Sequence, residues 1–272
     1  MRKPLGGLVC ILLILAITNI SWKPAATNKY NIDFKKGFSA RELLEKYISN
    51  IYESAHLQGS GLELDVFDKA VTGFMNLKAT NKLPQTSSIL TVVDLTKSSH
   101  EKRMWIVDVL NKELLLHTWV AHGQGSGEDI ASRFSDDNDS HQSSLGFYLT
   151  DNVYFGKHGR SLKLDGMDEG FNSSARARDI VVHAAKYVSQ GTINKLGYIG
   201  RSFGCPAVSP KVADQVINTI KGKTVLFING NDDRYTSKYL DEENLPANLF
   251  EPDSLTESAA IPGAAAKDSS NN

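Results

Sequence analysis

A mainly β fold, a sandwich or barrel with a few helices preceded by a short helical region, is what this sequence predicts. Three observations carry that prediction. Two stretches ahead of residue 80 repeat apolar residues at helical spacing. From Ser88 onward the apolar residues come in short, β-branched runs bounded by Gly, Asn, Asp and Ser. The chain is 272 residues long, 41% hydrophobic and 22% charged, which suffices for one sizeable core.

The first residues read as an export signal. Arg2 and Lys3 open the chain, Leu5 to Ile17 is almost wholly apolar, and polar Thr18 and Asn19 close the run. That run is short for a membrane span and long enough for a signal segment. We assign 1–27 to a signal peptide or, alternatively, an uncleaved amino-terminal anchor. The protein is therefore expected outside the cytoplasm, in the periplasm or envelope of a bacterium. Membrane contact is expected only through that segment.

In the helical region at 28–85, Ser39 and Glu42 form the pattern of a capping box, and Leu43, Leu44, Tyr47, Ile48 and Ile51 line one face. Val66, Phe67, Ala70, Val71, Phe74 and Met75 predict a second helix over 64–77, after a break at Gly59 to Gly61. Strands are expected at 89–95, 104–109 and 114–120, with Asn111-Lys112 as a hairpin turn, giving an antiparallel sheet. The Gly-, Ser- and Asp-rich stretch 123–143 reads as a loop or a site wall. Further strands are expected at 145–149, 161–164, 180–183 and 225–228. A helix is predicted over 209–221, capped by Ser209 with Pro210 in its first turn. The chain after Pro252 is rich in Ala, Ser and Asn and reads as a disordered tail.

The formal net charge of -1 and the lack of a Lys/Arg run point away from nucleic acid. Nothing in the sequence sets an oligomeric state. Of the two cysteines, Cys10 lies in the export segment, so Cys205 stands alone if that segment is removed. A lone thiol in an exported protein is a buried accident, an intermolecular link or a nucleophile. Its surroundings favour the last. Gly204-Cys205-Pro206 is a tight corner that turns a side chain outward. His183 ends the apolar run Ile180-Val181-Val182. An imidazole in reach of a thiol can take its proton and later return it to a leaving amine.

Several segments together resemble the L,D-transpeptidases of the YkuD-type fold, and within them the murein L,D-transpeptidase catalytic domain branch. Eighteen residues (184–201) separate His183 from Ser202-Phe203-Gly204-Cys205, close to that family's histidine-to-cysteine spacing. Val120-Ala121-His122-Gly123, Ser126-Gly127-Glu128-Asp129, Ser144 to Thr150, Gly156-Lys157-His158-Gly159 and Gly204 to Val208 carry the likeness to the branch, from about Ser88 to Ile228. Phe203 departs from the wider family, which has a second histidine there.

The resemblance implies an L,D-transpeptidase-like domain at 86–235 and a carboxy-terminal extension at 236–272. It implies that Cys205 attacks a peptidoglycan stem tetrapeptide, with His183 as base and backbone N–H groups near Gly204 and Cys205 receiving the oxyanion. The product is a 3→3 cross-link or, with water, a trimmed stem. A carbonyl near Gly204 or Ser202 is expected to orient His183. Ser202, Arg201, His158, Lys157 and Arg160 are candidates for substrate binding.

No cofactor or metal is expected. None of the seven histidines shows His-x-x-x-His spacing. Asp136 to Asp139 lacks the glycine and glutamate of a calcium loop, and the 123–127 glycines lack the lysine of a phosphate loop. His122 reads as a satisfied strand-end histidine and His141 as a solvated one. Two rival readings remain. A sortase-like transpeptidase would need an arginine on a late strand, and only Arg234 follows Cys205. A non-catalytic wall-binding module would have an unactivated thiol, separable by iodoacetamide labelling.

Overall fold

The computed structural model describes residues 39–242 and Leu245, so the export segment and the tail lie outside the described residues. Helix α1 (Ala40–Ser54) begins as the sequence predicts, because Ser39 and Glu42 satisfy each other's backbone N–H groups. A 3-10 turn (Gln58–Ser60) leads to α2 (Leu64–Ala79). The strands follow: β1 (Ile89–Asp94), β2 (Met104–Asp108), β3 (Glu113–Thr118), β4 (Val120–Ala121), β5 (Gly146–Gly156), β6 (Gly159–Gly166) and β7 (Val181–Ala184). Then come α3 (Gln190–Leu196), β8 (Ala207–Val208), α4 (Ala213–Ile220), β9 (Val225–Asn229) and a 3-10 turn at Lys238–Leu240.

Among the described residues the nine strands form one sheet in the order β3-β2-β1-β9-β5-β6-β7-β8-β4. Only Trp119 separates β3 from β4, so the two edge strands are one continuous run of chain. Its first half pairs with β2 and its second half with β8. The sheet therefore nearly closes into a barrel and leaves little unpaired edge. Among the described residues the fold is mainly β with four helices, as the strand spacing predicts.

The sheet is mixed rather than antiparallel. β1 pairs with β9, and β7 with β8, in parallel. Both faces of the central strands are buried, so alternation is hidden in the sequence. Leu90, Val92, Trp105, Val107, Phe147, Val225 and Phe227 pack toward α1 and α2. Their neighbours Val93, Met104, Ile106, Tyr148, Leu226 and Ile228 pack toward α4 on the other side. The helical region thus shares one core with the sheet, and the Trp105 indole N–H donates to Ser60 Oγ at 2.9 Å. Residues 239–241 are held on the same side, where Asn76 Nδ2 donates to the carbonyls of Tyr239 (2.9 Å) and Asp241 (2.7 Å).

One local expectation is corrected and one element is new. α4 starts at Ala213, because residues 210–212 form a turn and the Val212 and Ala213 N–H groups reach the Ser209 carbonyl rather than its side chain. α3 is a helix to which the sequence reading gave no element, capped by the Ser189 hydroxyl and ended by Gly197 in the left-handed region. No helix among the described residues is long and apolar enough to cross a membrane.

Gly73 shows how closely α2 approaches the sheet. A Cβ there would lie 2.0 Å from Cζ of the fully buried Phe147 ring. Gly73→Ala removes a helix penalty of about 1 kcal/mol. Overpacking of about 1–3 kcal/mol opposes it. Packing should win, so a lowered melting temperature is expected; a raised one would contradict this helix position.

Candidate active site

The corner that carries Cys205 is closed by one hydroxyl. Ser202 Oγ donates to the Cys205 carbonyl at 2.7 Å and accepts the Gly204 N–H at 3.1 Å. The Ser202 N–H donates to the His122 carbonyl (2.9 Å), and the Ser202 carbonyl accepts from the Gln124 N–H (2.8 Å). Gly204 makes the bend with φ +121°, a conformation that a side chain would strain. Beyond Pro206 the chain leaves as β8, in parallel register with β7, so His183 lies opposite Ala207.

The Cys205 thiol is half-buried and lies 3.6 Å from the Asp179 carbonyl. Asp179 adopts φ +54° at the mouth of β7. Burial pushes the thiol above its usual value, against the weaker pull of the Val181 N–H and the charges of Lys157 and Arg178.

His183 is buried on β7. Its Nδ1 lies 2.9 Å from the Ala184 carbonyl. A carbonyl only accepts, so Nδ1 carries the hydrogen and Nε2 of the neutral ring keeps its lone pair. The orienting group is therefore Ala184, not a carbonyl near Gly204 or Ser202. Burial holds the imidazole below its usual value; the Ala184 bond opposes this, and His158 and Lys157 add to it. The His158 ring stacks on His183, with centroids 4.2 Å apart and planes at 20°.

Cys205 and His183 line one cleft of about 750 Å³. Of the sequence-derived candidates, Arg201, Ser202, Lys157 and His158 line it as well. Lys157 and His158 sit exposed at the tip of the β5–β6 hairpin. Arg201 donates to the Gly127 carbonyl at 2.9 Å. Two candidates are placed otherwise. Arg160 is outside the cleft, with its guanidinium on Asp214 (2.8 Å) and Asn218 (2.6 Å) of α4. The Gly204 N–H is already given to Ser202, so it is not free to meet an oxyanion.

Among the wall residues that sequence reasoning missed are Asp179 and Arg178. Asp179 acts through its backbone and has no side-chain signature. Arg178, three residues ahead of the start of β7, donates to the carbonyls of Ser135 and Gln142, both at 2.8 Å, and so ties the 123–143 stretch to the cleft. Its position next to the histidine-bearing strand was the available signal. The 123–143 stretch does form a wall of the cleft, contributing Asn138, Asp139 and His141. His141 is stacked on the exposed Phe203 ring with centroids 4.3 Å apart.

His122 is buried, as a satisfied histidine should be. Arg103 Nη2 donates to its Nδ1 at 2.6 Å, and burial followed by the Arg103 charge holds it down to about 4. No group of three or more His, Cys, Asp or Glu among the described residues is placed to hold a metal ion. Ser98, His100 and Asp129 cluster elsewhere, but the Ser98 hydroxyl lies between ring and carboxylate (2.6 Å to each), which is not the order of a proton relay. Arg234 is paired with Asp232 at 2.7 Å and does not line the cleft.

A family model described as an L,D-transpeptidase catalytic domain matches residues 58–229. That span takes in α2, whereas the motif likeness begins only at Ser88. Among solved structures, the L,D-transpeptidase from Mycobacterium smegmatis is similar at 13% identity and a TM-score of 0.33, over 53% of this chain and 59% of that one. The present chain thus spans about three fifths of that structure's length. An L,D-transpeptidase from Stackebrandtia nassauensis is similar at 11% identity and a TM-score of 0.34, over 72% of this chain and 93% of that one. One from Xylanimonas cellulosilytica is similar at 13% identity and a TM-score of 0.32, over 69% and 93%. No curated protein matches the chain.

Proposed function

Because the chain belongs to the L,D-transpeptidase catalytic domain family, we propose that it is a cysteine acyltransferase of the cell envelope acting on peptidoglycan stem tetrapeptides. The observation that supports this most is the shared cleft of Cys205 and His183, with the Nε2 lone pair left over by the Ala184 bond.

Cys205 Sγ attacks the carbonyl of the third stem residue, and its proton passes to His183 Nε2. The tetrahedral intermediate collapses with cleavage of the C–N bond. His183 returns the proton to the departing D-Ala amine, leaving a thioester. An acceptor amine then attacks the thioester, gives a proton to His183 and regenerates the thiol. Water as acceptor makes the same cycle an L,D-carboxypeptidase. With the Gly204 N–H engaged, the Cys205 N–H is the donor of this corner for the developing oxyanion. Arg201 and Lys157 offer the cations for stem carboxylates.

The resting pair is neutral in this reading. Burial moves the thiol above and the imidazole below their ordinary values, which disfavours a thiolate–imidazolium pair. Proton transfer then accompanies attack. Iodoacetamide labelling of Cys205 should accordingly keep rising roughly tenfold per pH unit from 7 to 9, following the thiolate fraction, so labelling does not separate this reading from a wall-binding module as the sequence suggested; product formation does. A plateau already reached at pH 7 would indicate a preformed ion pair instead.

The function itself is tested with purified wall fragments and mass spectrometry. Loss of the terminal D-Ala, or a 3→3 link, is expected from the wild-type chain. If neither product forms, the reading is wrong.

A further inference from the structure

The most unusual group outside the cleft is Arg103. It is fully buried, and among the described residues no carboxylate lies within ion-pair distance of it. A buried cation without an anion is costly unless its donors are all met. Here four of the five N–H groups are met by neutral acceptors. Nη1 donates to the Lys97 carbonyl at 2.7 Å, while Nε and Nη2 both donate to the Val120 carbonyl at 3.2 Å. Nη2 also donates to His122 Nδ1 at 2.6 Å.

A guanidinium has no lone pair to offer, so this contact decides the histidine tautomer. Nδ1 accepts, and the hydrogen resides on Nε2. That N–H points to the Gly127 carbonyl at 3.3 Å. The same carbonyl accepts Arg201 Nη1 at 2.9 Å. The main chain of His122 holds the next residue, because its carbonyl takes the Ser202 N–H at 2.9 Å. Ser202 is therefore held directly by His122, and the Arg201 side chain is tied to it through the shared Gly127 carbonyl. Ser202 in turn holds Gly204 and Cys205.

We infer that Arg103 and His122 form a buried positioning pair that fixes the nucleophile corner, with the Arg103 bond serving the fold and the Nε2 bond to Gly127 serving the geometry of Cys205. Neither residue touches the cleft. The inference rests on the reading of Cys205 as nucleophile. An orientation error of about 1 Å at such a corner can cost on the order of 100-fold in rate.

Two amide variants separate the halves. An Asn carbonyl falls where Nδ1 is and can still accept from Arg103, but it has nothing to give Gly127. A Gln amide reaches the Nε2 position and can donate to Gly127, but it leaves Arg103 Nη2 without that acceptor. For His122→Asn we expect a near wild-type melting temperature, a kcat and a Cys205 iodoacetamide rate each lowered about tenfold, and an unchanged KM for stem tetrapeptide. For His122→Gln we expect a melting temperature several degrees lower, with the rate per folded molecule retained. Wild-type rates in His122→Asn would overturn the inference. So would a His122→Asn chain that does not fold, since the Arg103 bond would then not suffice for the fold. The alkylation arm does not depend on turnover. If the wild-type chain leaves stem peptides untouched, the proposed function fails while the positioning claim is still decided.

Discussion

Cys205→Ala is expected to abolish turnover of stem tetrapeptides, a loss on the order of 10⁴-fold or more, while the melting temperature shifts little. The separation of the two effects follows from the corner's construction. Its hydrogen bonds run through the Ser202 hydroxyl and through backbone groups, not through the sulfur. The thiol makes only weak polar contacts, to the Asp179 carbonyl at 3.6 Å and with the Val181 N–H. Removing Sγ thus takes away the attacking atom and little of what holds the turn. His183→Ala should cost less, on the order of 10²- to 10⁴-fold, the range of general acid–base catalysis. Its backbone remains paired with Ser161 and Ala207. Release of D-Ala measured by mass spectrometry, alongside a thermal melt, checks both. A Cys205→Ala chain that still trims stems would remove the acyl-enzyme from the mechanism.

The parts of this fold that were legible in sequence are those decided locally. The capping box at Ser39 and Glu42 and the apolar faces of α1 and α2 need only neighbours within one or two turns, and they appear where the spacing puts them. The parallel pairings were not legible, because β1 meets β9 more than a hundred residues later and both faces of these strands are buried. α3 has no buried residue, so it leaves no periodic trace; only Ser189 and Gly197 mark its ends. In the cleft the same division holds. Cys205 and His183 declare themselves by residue type and by the resemblance around them. Arg160 and Arg178 differ only in what the closed sheet sets beside them: one meets Asp214 and Asn218 on α4, the other the carbonyls of the cleft wall. The groups that touch the thiol and the imidazole directly, the carbonyls of Asp179 and Ala184, belong to the backbone and have no code in a side chain.

Gly204→Ala is expected to have a large effect although residue 204 carries no reacting side chain. A Cβ at this position would lie 2.8 Å from the Gln142 carbonyl oxygen, 3.1 Å from Ile180 Cδ1 and 3.3 Å from Arg178 Nη2. The carbonyl cannot simply retreat, because Arg178 Nη2 holds it at 2.8 Å. Nor can residue 204 relax to a common conformation, since φ +121° is what aims its N–H at Ser202 and lets Cys205 face the cleft. The strain alone is about 1–3 kcal/mol, and the displaced corner should cost about 100-fold or more in kcat/KM. Gly197 supplies the control. It also has positive φ, +85° at the end of α3, but a Cβ there meets nothing within 4 Å. Gly197→Ala should therefore lower the melting temperature modestly and leave the rate per folded molecule unchanged. The two variants share backbone strain and differ in the contact with the cleft wall, so the difference in their rates measures what the rigid corner contributes to attack. Equal rates in the two would mean that the position of Cys205 tolerates movement, and that the close contacts around Gly204 serve only the fold.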